Sequence, residues 1–166
     1  TAWCGEQVGH VHHPELGGLL LGGYGLQVYP LQVEVGDDVR ITVDLELIKG
    51  EEVWILARGT EPRHAYQFRL GAYEGRWMTL SRSRGAPGPL DAELLTMRPI
   101  REGETTGRID NKPRSHRLVV ECEGQMLRFH VDGQEPMAFS DLNPLSVAPG
   151  SNLAIATWKT QALVRT

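Results

Sequence analysis

Apolar residues recur with a period of two along almost the whole chain, the spacing of half-buried β-strands rather than of helices. From Asp38 to Leu47, Val39, Ile41, Val43, Leu45 and Leu47 alternate with Arg40, Thr42, Asp44 and Glu46, predicting a long strand with one buried face. Lys49-Gly50-Glu51 turns the chain into Val53–Arg58, which is apolar at successive positions and is predicted to be a central strand covered on both faces. Gly59-Thr60-Glu61-Pro62 reads as a loop. Alternation resumes in Ala65–Leu70, with Tyr66, Phe68 and Leu70 opposite Gln67 and Arg69, and again in Trp77–Arg82.

Arg84-Gly85-Ala86-Pro87-Gly88-Pro89 is a break within one domain, because strand patterns of the same kind continue beyond it. Ala92–Ile100 fits either a short strand or one helical turn before Pro99. Arg101–Arg114 is polar and reads as a loop, with room for a short strand near Arg108-Ile109. His116–Gly133 is a β-hairpin: alternating strands flank Glu123-Gly124-Gln125, and the second runs into the tight-turn pair Asp132-Gly133. Strands follow around Met137–Phe139, near Leu153–Trp158 and at Ala162–Val164, separated by a loop from Asn143 to Gly150.

About a dozen short strands with turn signals between them, no helix of normal length and no internal repeat predict an all-β fold, a sandwich of two antiparallel sheets. Its 166 residues are expected to form one domain, with an irregular glycine-rich segment over 1–23 and the sandwich over 24–166.

Composition is that of a folded globular chain, 40% hydrophobic and 23% charged. Its net charge of −4 supplies no electrostatic footprint for a phosphate backbone, so no nucleic-acid partner is expected. Apolar runs such as Leu19-Leu20-Leu21 are far short of a membrane span. Beginning at Thr1 without a Met or a basic-then-apolar leader favours a piece cut from a longer protein. Cys4 and Cys122 form no metal or redox motif; they read as separate buried thiols in preference to a Cys4–Cys122 bridge.

Taken together, Ile55–Gly59, Ala65–Leu70, His116–Glu121, Leu127–Gly133 and the Trp strand Ala154–Trp158 resemble the concanavalin A-like (laminin G-like) jelly roll. Within it the chain is most similar to the bacterial 3-keto-disaccharide hydrolase-like domains, where a W-H-R-L-x-V strand leads into I-x-V-x-V-D-G. The likeness runs from Tyr24 to Val164. Ser115 stands where that pattern has Trp, and Ser151-Asn152-Leu153-Ala154-Ile155 stands where it has Gly-x-Val-Gly-Leu. These motifs belong to hairpin and core, so the resemblance implies the fold strongly and an activity weakly.

Glycoside hydrolysis uses two carboxylates about 5 to 9.5 Å apart. The Glu-x-Asp-x-x-Glu strand of the jelly-roll glucanases is absent. Its nearest counterpart, Asp44-Leu45-Glu46, shares one strand face at about 6.8 Å spacing and reads as a solvated surface. Catalysis is therefore not expected. No cofactor is expected either. Cys4, His10, His12 and His13 are of zinc-ligand type without a known spacing, and Asp132 and Asp141 are available to calcium without a clustered loop. No nucleophile elbow is present, and the glycines sit between strands, as turn glycines do.

The remaining reading is binding, by aromatic faces and planar polar groups on one sheet. The ligand-binding candidates are Trp54, Arg58, Gln67, Arg69, Trp77, Arg128, His130 and Trp158. If Val53, Ile55 and Ala57 face the core, Trp54 and Arg58 face outward. Gln67 and Arg69, and Arg128 and His130, do so by the same parity. Core tryptophans and solvated arginines would produce the same pattern. The expectation is a non-catalytic, lectin-like module binding a carbohydrate or a protein partner, part of a larger extracytoplasmic bacterial protein (secreted, periplasmic or surface). A hydrolase of the 3-keto-disaccharide type and a structural or assembly domain stand as alternatives.

Overall fold

The computed structural model describes residues 11–13, 17–31, 33, 35–100, 113–146 and 153–165. Among the described residues thirteen strands form two antiparallel sheets stacked face to face. One has seven strands, in the order β1 (Val11–His13), β2 (Gly18–Gly22), β13 (Gln161–Arg165), β4 (Val39–Lys49), β9 (Arg114–Glu123), β10 (Met126–Val131) and β11 (Met137–Ser140). The other has six: β3 (Leu26–Pro30), β12 (Leu153–Trp158), β5 (Glu52–Glu61), β6 (His64–Gly71), β7 (Trp77–Arg84) and β8 (Glu93–Pro99). This is the jelly-roll sandwich that the alternating pattern predicts. Among the described residues the one non-strand element is the short turn Ala72–Gly75, left-handed at Tyr73 and Glu74, and no helix is long and apolar enough to cross a membrane.

Period-two alternation explains which side chains meet. Leu45, Leu47, Leu118, Val120, Leu127, Phe129 and Val131 point from the seven-stranded sheet into the gap. They meet Val53, Ile55, Tyr66, Phe68, Leu70, Met78 and Leu80 from the other. Phe68 and Phe129 cross the interface edge to face, their ring centroids 5.8 Å apart, and truncating such a ring in a core typically costs about 3 to 5 kcal/mol. β5 is apolar on both faces, as its sequence predicts. Its other face carries a second cluster of Trp54, Leu56, Ala65, Ala154 and Ala156.

In the predicted hairpin, Glu123 pairs with Met126 and Val131 with Leu118. Asp132 and Gly133 are both left-handed, with φ of 53° and 70°, and Gln134 N–H closes the turn on the Val131 carbonyl at 3.0 Å.

Two expectations are corrected and one open alternative is settled. Gly18–Gly22, inside the segment read as irregular, is a strand between β1 and β13, because Leu19 and Leu21 pack on the core while the backbone pairs with Gln161–Arg165. Ala92–Ile100 resolves as strand β8 paired with β7. Gly59–Pro62 is not a loop: β5 continues to Glu61 across a break in register after Ala57. There Arg58 adopts a φ of 56°, and a Cβ on Gly59 would lie 1.8 Å from the His64 carbonyl oxygen, so only glycine fits. The Arg108-Ile109 expectation lies outside the described residues.

Candidate functional site

The sheets give the sandwich two ends. At the end where β5 begins, the turns β4–β5, β6–β7 and β12–β13 come together around an open cleft of about 500 Å³. Gly50, Glu51, Glu52, Gly71, Glu74, Trp158 and Lys159 line it. That volume is in the range of small-molecule sites.

Thr160 holds these turns in place. Its buried hydroxyl accepts the Glu51 and Glu52 N–H groups at 3.1 and 3.0 Å and donates to the Trp158 carbonyl at 2.8 Å. A Cβ on Gly50 would sit 2.5 Å from that hydroxyl oxygen, which is why the turn Lys49-Gly50-Glu51 requires glycine. Lys159 takes a left-handed φ of 48°, a conformation that costs a non-glycine residue about 1 kcal/mol or more. Its N–H donates to the Gly25 carbonyl at 2.8 Å, fixing the β2–β3 turn against it.

Behind the cleft lies a buried polar network. Glu52 Oε1 accepts the Trp54 indole N–H at 2.6 Å and Arg69 Nε at 2.7 Å, and Arg69 Nη2 stands 2.5 Å away. The Arg69 guanidinium caps the Trp54 ring at 4.6 Å from its centroid. These contacts follow from register: Trp54 is paired with both Arg69 and Ala156, and Glu52 with Trp158, so all point to the outer side of the six-stranded sheet. Trp158, partly exposed, lines the cleft, with Lys159 Nζ 5.5 Å from its ring centroid.

The predicted binding residues are therefore divided rather than gathered. Trp158 alone lines the cleft. Trp54, fully buried under Arg69, has no free face for a ligand, and Arg69 is committed to Glu52. Gln67 is buried and donates its amide to the Pro62 and Pro89 carbonyls at 2.7 and 2.9 Å. Trp77 stands at the same end, two strands from β5, and does not line the cleft.

Arg128 and His130 share the outward parity but on the seven-stranded sheet, across the sandwich, where they face Glu121 at 3.9 and 3.3 Å. Parity assigns a side chain to a face of its own strand and does not say in which sheet the strand lies. Glu52, Glu74 and Lys159 were missed as turn residues. The signal available was only that three turns containing glycine, charge or Trp must share one end.

Arg58 is a further correction. Its bulge turns it off the outer face and into the opposite end of the sandwich, where it is 5% exposed. There it donates to the Asp37 carbonyl at 2.9 and 3.1 Å, to Gly124 at 2.8 Å and to Leu145 at 3.4 Å, and lies over the Tyr66 ring. Beside it Asp141 accepts the Tyr66 hydroxyl at 2.6 Å, Arg82 Nη1 at 2.6 Å and the Asn143 N–H at 3.0 Å. Burial, then the bond to the Asp141 carboxylate, pushes the Tyr66 phenol up to about 12. Burial alone would raise the Asp141 carboxyl, but the bonds from Tyr66, Asn143 and Arg82 outweigh it and hold the group below its ordinary value.

Asp44 is bidentate to Arg117 at 2.6 and 2.8 Å and Glu46 pairs with Arg165, so that strand face is a set of ion pairs. Asp132 accepts His116 Nδ1 and the Arg117 N–H, both at 2.8 Å. No group of three or more His, Cys, Asp or Glu among the described residues could hold a metal. Cys4, His10 and the side chains of His12 and His13 lie outside the described residues. Cys122 is a free thiol on the core face, pushed up to about 12 chiefly by burial.

No protein-family model matches the chain, and no curated protein matches it in sequence. Solved structures match it in fold. The carbohydrate-binding module CBM66 from Bacillus subtilis is 13% identical, with a TM-score of 0.66 over 91% of this chain and 85% of that one. A protein of unknown function with a galectin-like fold, also from Bacillus subtilis, is 13% identical with a TM-score of 0.62, over 89% and 80%. The CBM40 of Ruminococcus gnavus IT-sialidase, bound to α2,6-sialyllactose, is 7% identical with a TM-score of 0.54, over 88% and 89%. At these identities the likeness is one of architecture: the chain is a jelly-roll sandwich of the galectin-like, concanavalin A-like kind.

Proposed function

We propose that this protein is a non-catalytic carbohydrate-binding β-sandwich, a module of a larger extracytoplasmic bacterial protein, and that the cleft beside Trp158 is its sugar site. One observation carries the reading. An aromatic face stands at the rim of an open cleft whose other walls are charged side chains and glycine turns, held rigid by Thr160 and by the Glu52–Arg69–Trp54 network. Sugars are recognised by that combination, C–H faces on a ring and hydroxyls on fixed polar groups. Fold neighbours named as carbohydrate-binding modules support the same class.

The test is calorimetric titration of the intact protein with a panel of neutral oligosaccharides, with indole N–H resonances followed by NMR. A binder should shift Trp158, and Trp158→Ala should weaken it about tenfold or more, roughly 1.4 kcal/mol. A panel without binders, or a Trp158→Ala protein binding as well as the parent, would overturn the proposal.

Three glutamates in the cleft, Glu51, Glu52 and Glu74, favour one second reading, a glycoside-acting hydrolase of the 3-keto-disaccharide type. Glu52 is held by Arg69 and Trp54, and that reading assigns the acid pair to Glu51 and Glu74. Release of monosaccharide from 3-keto-glycosides that disappears in both Glu51→Gln and Glu74→Gln would promote that reading over the first.

A further inference from the structure

On the far side of Lys159 lies a second cleft of about 300 Å³, formed by Gly23, Tyr24, Lys49, Lys159, Thr160 and Gln161. The chain has three lysines, Lys49, Lys112 and Lys159, and two of them line this one cleft. Their surroundings distinguish them from six of the arginines. Arg40, Arg69, Arg82, Arg117, Arg128 and Arg165 are each matched to a carboxylate within the chain. Among the described residues neither lysine ammonium has an ion pair or hydrogen bond, and Lys159 has only the Trp158 ring. No carboxylate lines this cleft. Two like charges lining one cleft repel each other, and an anion that enters it relieves that repulsion.

Their backbones are also fixed. Lys49 ends β4 opposite Gln161, and Lys159 is held by its N–H bond to Gly25 and by the close approach of Gly50 to its carbonyl. Tyr24 completes the cleft. It is 97% exposed at the tip of the Gly23–Gly25 turn, offering a ring face and a hydroxyl donor. The first cleft differs in sign, since Glu51, Glu52 and Glu74 line it. The two share Lys159.

We propose that the Tyr24–Lys49–Lys159 cleft is an anion-binding subsite for a carboxylate or sulfate carried by the saccharide. The ligand class is then an acidic glycan, with a neutral ring against Trp158 and the acidic group between the two lysines. Glutamates in the first cleft disfavour the opposite orientation. This inference rests on the sugar-binding reading of the neighbouring cleft.

The intact protein is titrated with an oligogalacturonate and its methyl ester, which differ in carboxyl charge, and with a sulfated galactan oligosaccharide and its desulfated form. The two pairs distinguish carboxylate from sulfate as the source of the charge. At least one charged form should bind roughly tenfold more tightly than its neutral counterpart, and the advantage should shrink as salt rises from about 0.02 to about 0.3 M. Lys49→Ala should abolish the advantage without weakening the neutral form, and Lys49→Arg should restore it. Equal affinity for charged and neutral forms, or a preference that survives Lys49→Ala, overturns the anion subsite. If neutral saccharides still shift Trp158 in that case, the sugar-binding reading stands alone. If no saccharide binds but inorganic sulfate shifts Lys49 and Tyr24 resonances, the anion site survives and the sugar reading falls. If neither sugar nor sulfate binds, both fall.

Discussion

The two ends of the sandwich use the same kinds of residue to opposite effect. At the Arg58 end, arginine, tyrosine and aspartate are turned inward: Arg58 reaches three backbone carbonyls, and Asp141 joins Tyr66 and Arg82 of the six-stranded sheet to the end of β11 in the other. At the Glu52 end a comparable set stops at the surface. Glu52 and Arg69 pair behind the cleft, while Trp158, Tyr24, Lys49 and Lys159 face open volume. An end whose polar groups satisfy each other is a latch between the sheets. An end where Trp158, Tyr24 and two lysines line open clefts leaves those groups accessible from outside. The residue types do not separate the two; partners and burial do.

The largest expected effect breaks the latch. Asp141→Ala removes the partner of a buried tyrosine hydroxyl and of Arg82, and should cost about 3 to 5 kcal/mol in urea unfolding. Saccharide affinity at the far end should not change in the fraction that stays folded. The pH dependence fixes the cause. Asp141 lies below its ordinary value of 3.8 in the folded state, so the stability it contributes is intact above that pH and is lost as pH falls below 3.8 toward the folded value. The stability gap between the parent and Asp141→Asn should therefore narrow on acidification through that window. A gap that does not change with pH would show that packing, not the carboxylate's charge, closes this end.

A smaller effect is expected from Glu52→Ala, which leaves the Arg69 guanidinium and the Trp54 indole without their shared acceptor. Both members of the ion pair keep slight solvent contact, with 12% and 11% side-chain exposure, so water recovers part of the loss. About 2 kcal/mol is the expected cost, with sugar affinity falling because the wall of the cleft loosens. Stability loss equal to that of Asp141→Ala, with binding intact, would make this end a second latch and remove the contrast between the two.

Legibility followed the range of the interaction concerned. Alternation in Val39–Leu47 and Leu127–Val131, and the doubly apolar Val53–Ala57, are local patterns that burial confirms residue by residue. Arg58 was misassigned because a single left-handed residue reverses parity. Its one local signal is Gly59, a residue that fits a loop as readily as a bulge. Arg128 and Trp54 obey the same parity yet lie on opposite outer faces, since strand order across the sandwich is set by contacts between distant segments. The cleft was invisible for the same reason: Gly50, Gly71 and Trp158 belong to turns that only the folded sheets bring together. Three lysines in 166 residues was a countable signal, but their convergence was not.

The smallest effect concerns an exposed pair whose distances match those at either end. Asp44 and Arg117 meet in a bidentate bridge at 2.6 and 2.8 Å, and the hydrogen bond from Arg117 holds the Asp44 carboxyl below the usual range. Both side chains remain 43% and 64% exposed, so water screens the attraction and two long side chains surrender their freedom to make it. Asp44→Asn should therefore leave the urea midpoint and sugar affinity indistinguishable from the parent. Distance alone would rank this pair above Arg58 and its backbone acceptors. If Asp44→Asn lowered stability as much as Glu52→Ala does, burial would no longer separate the bonds that hold this sandwich from those that only decorate it.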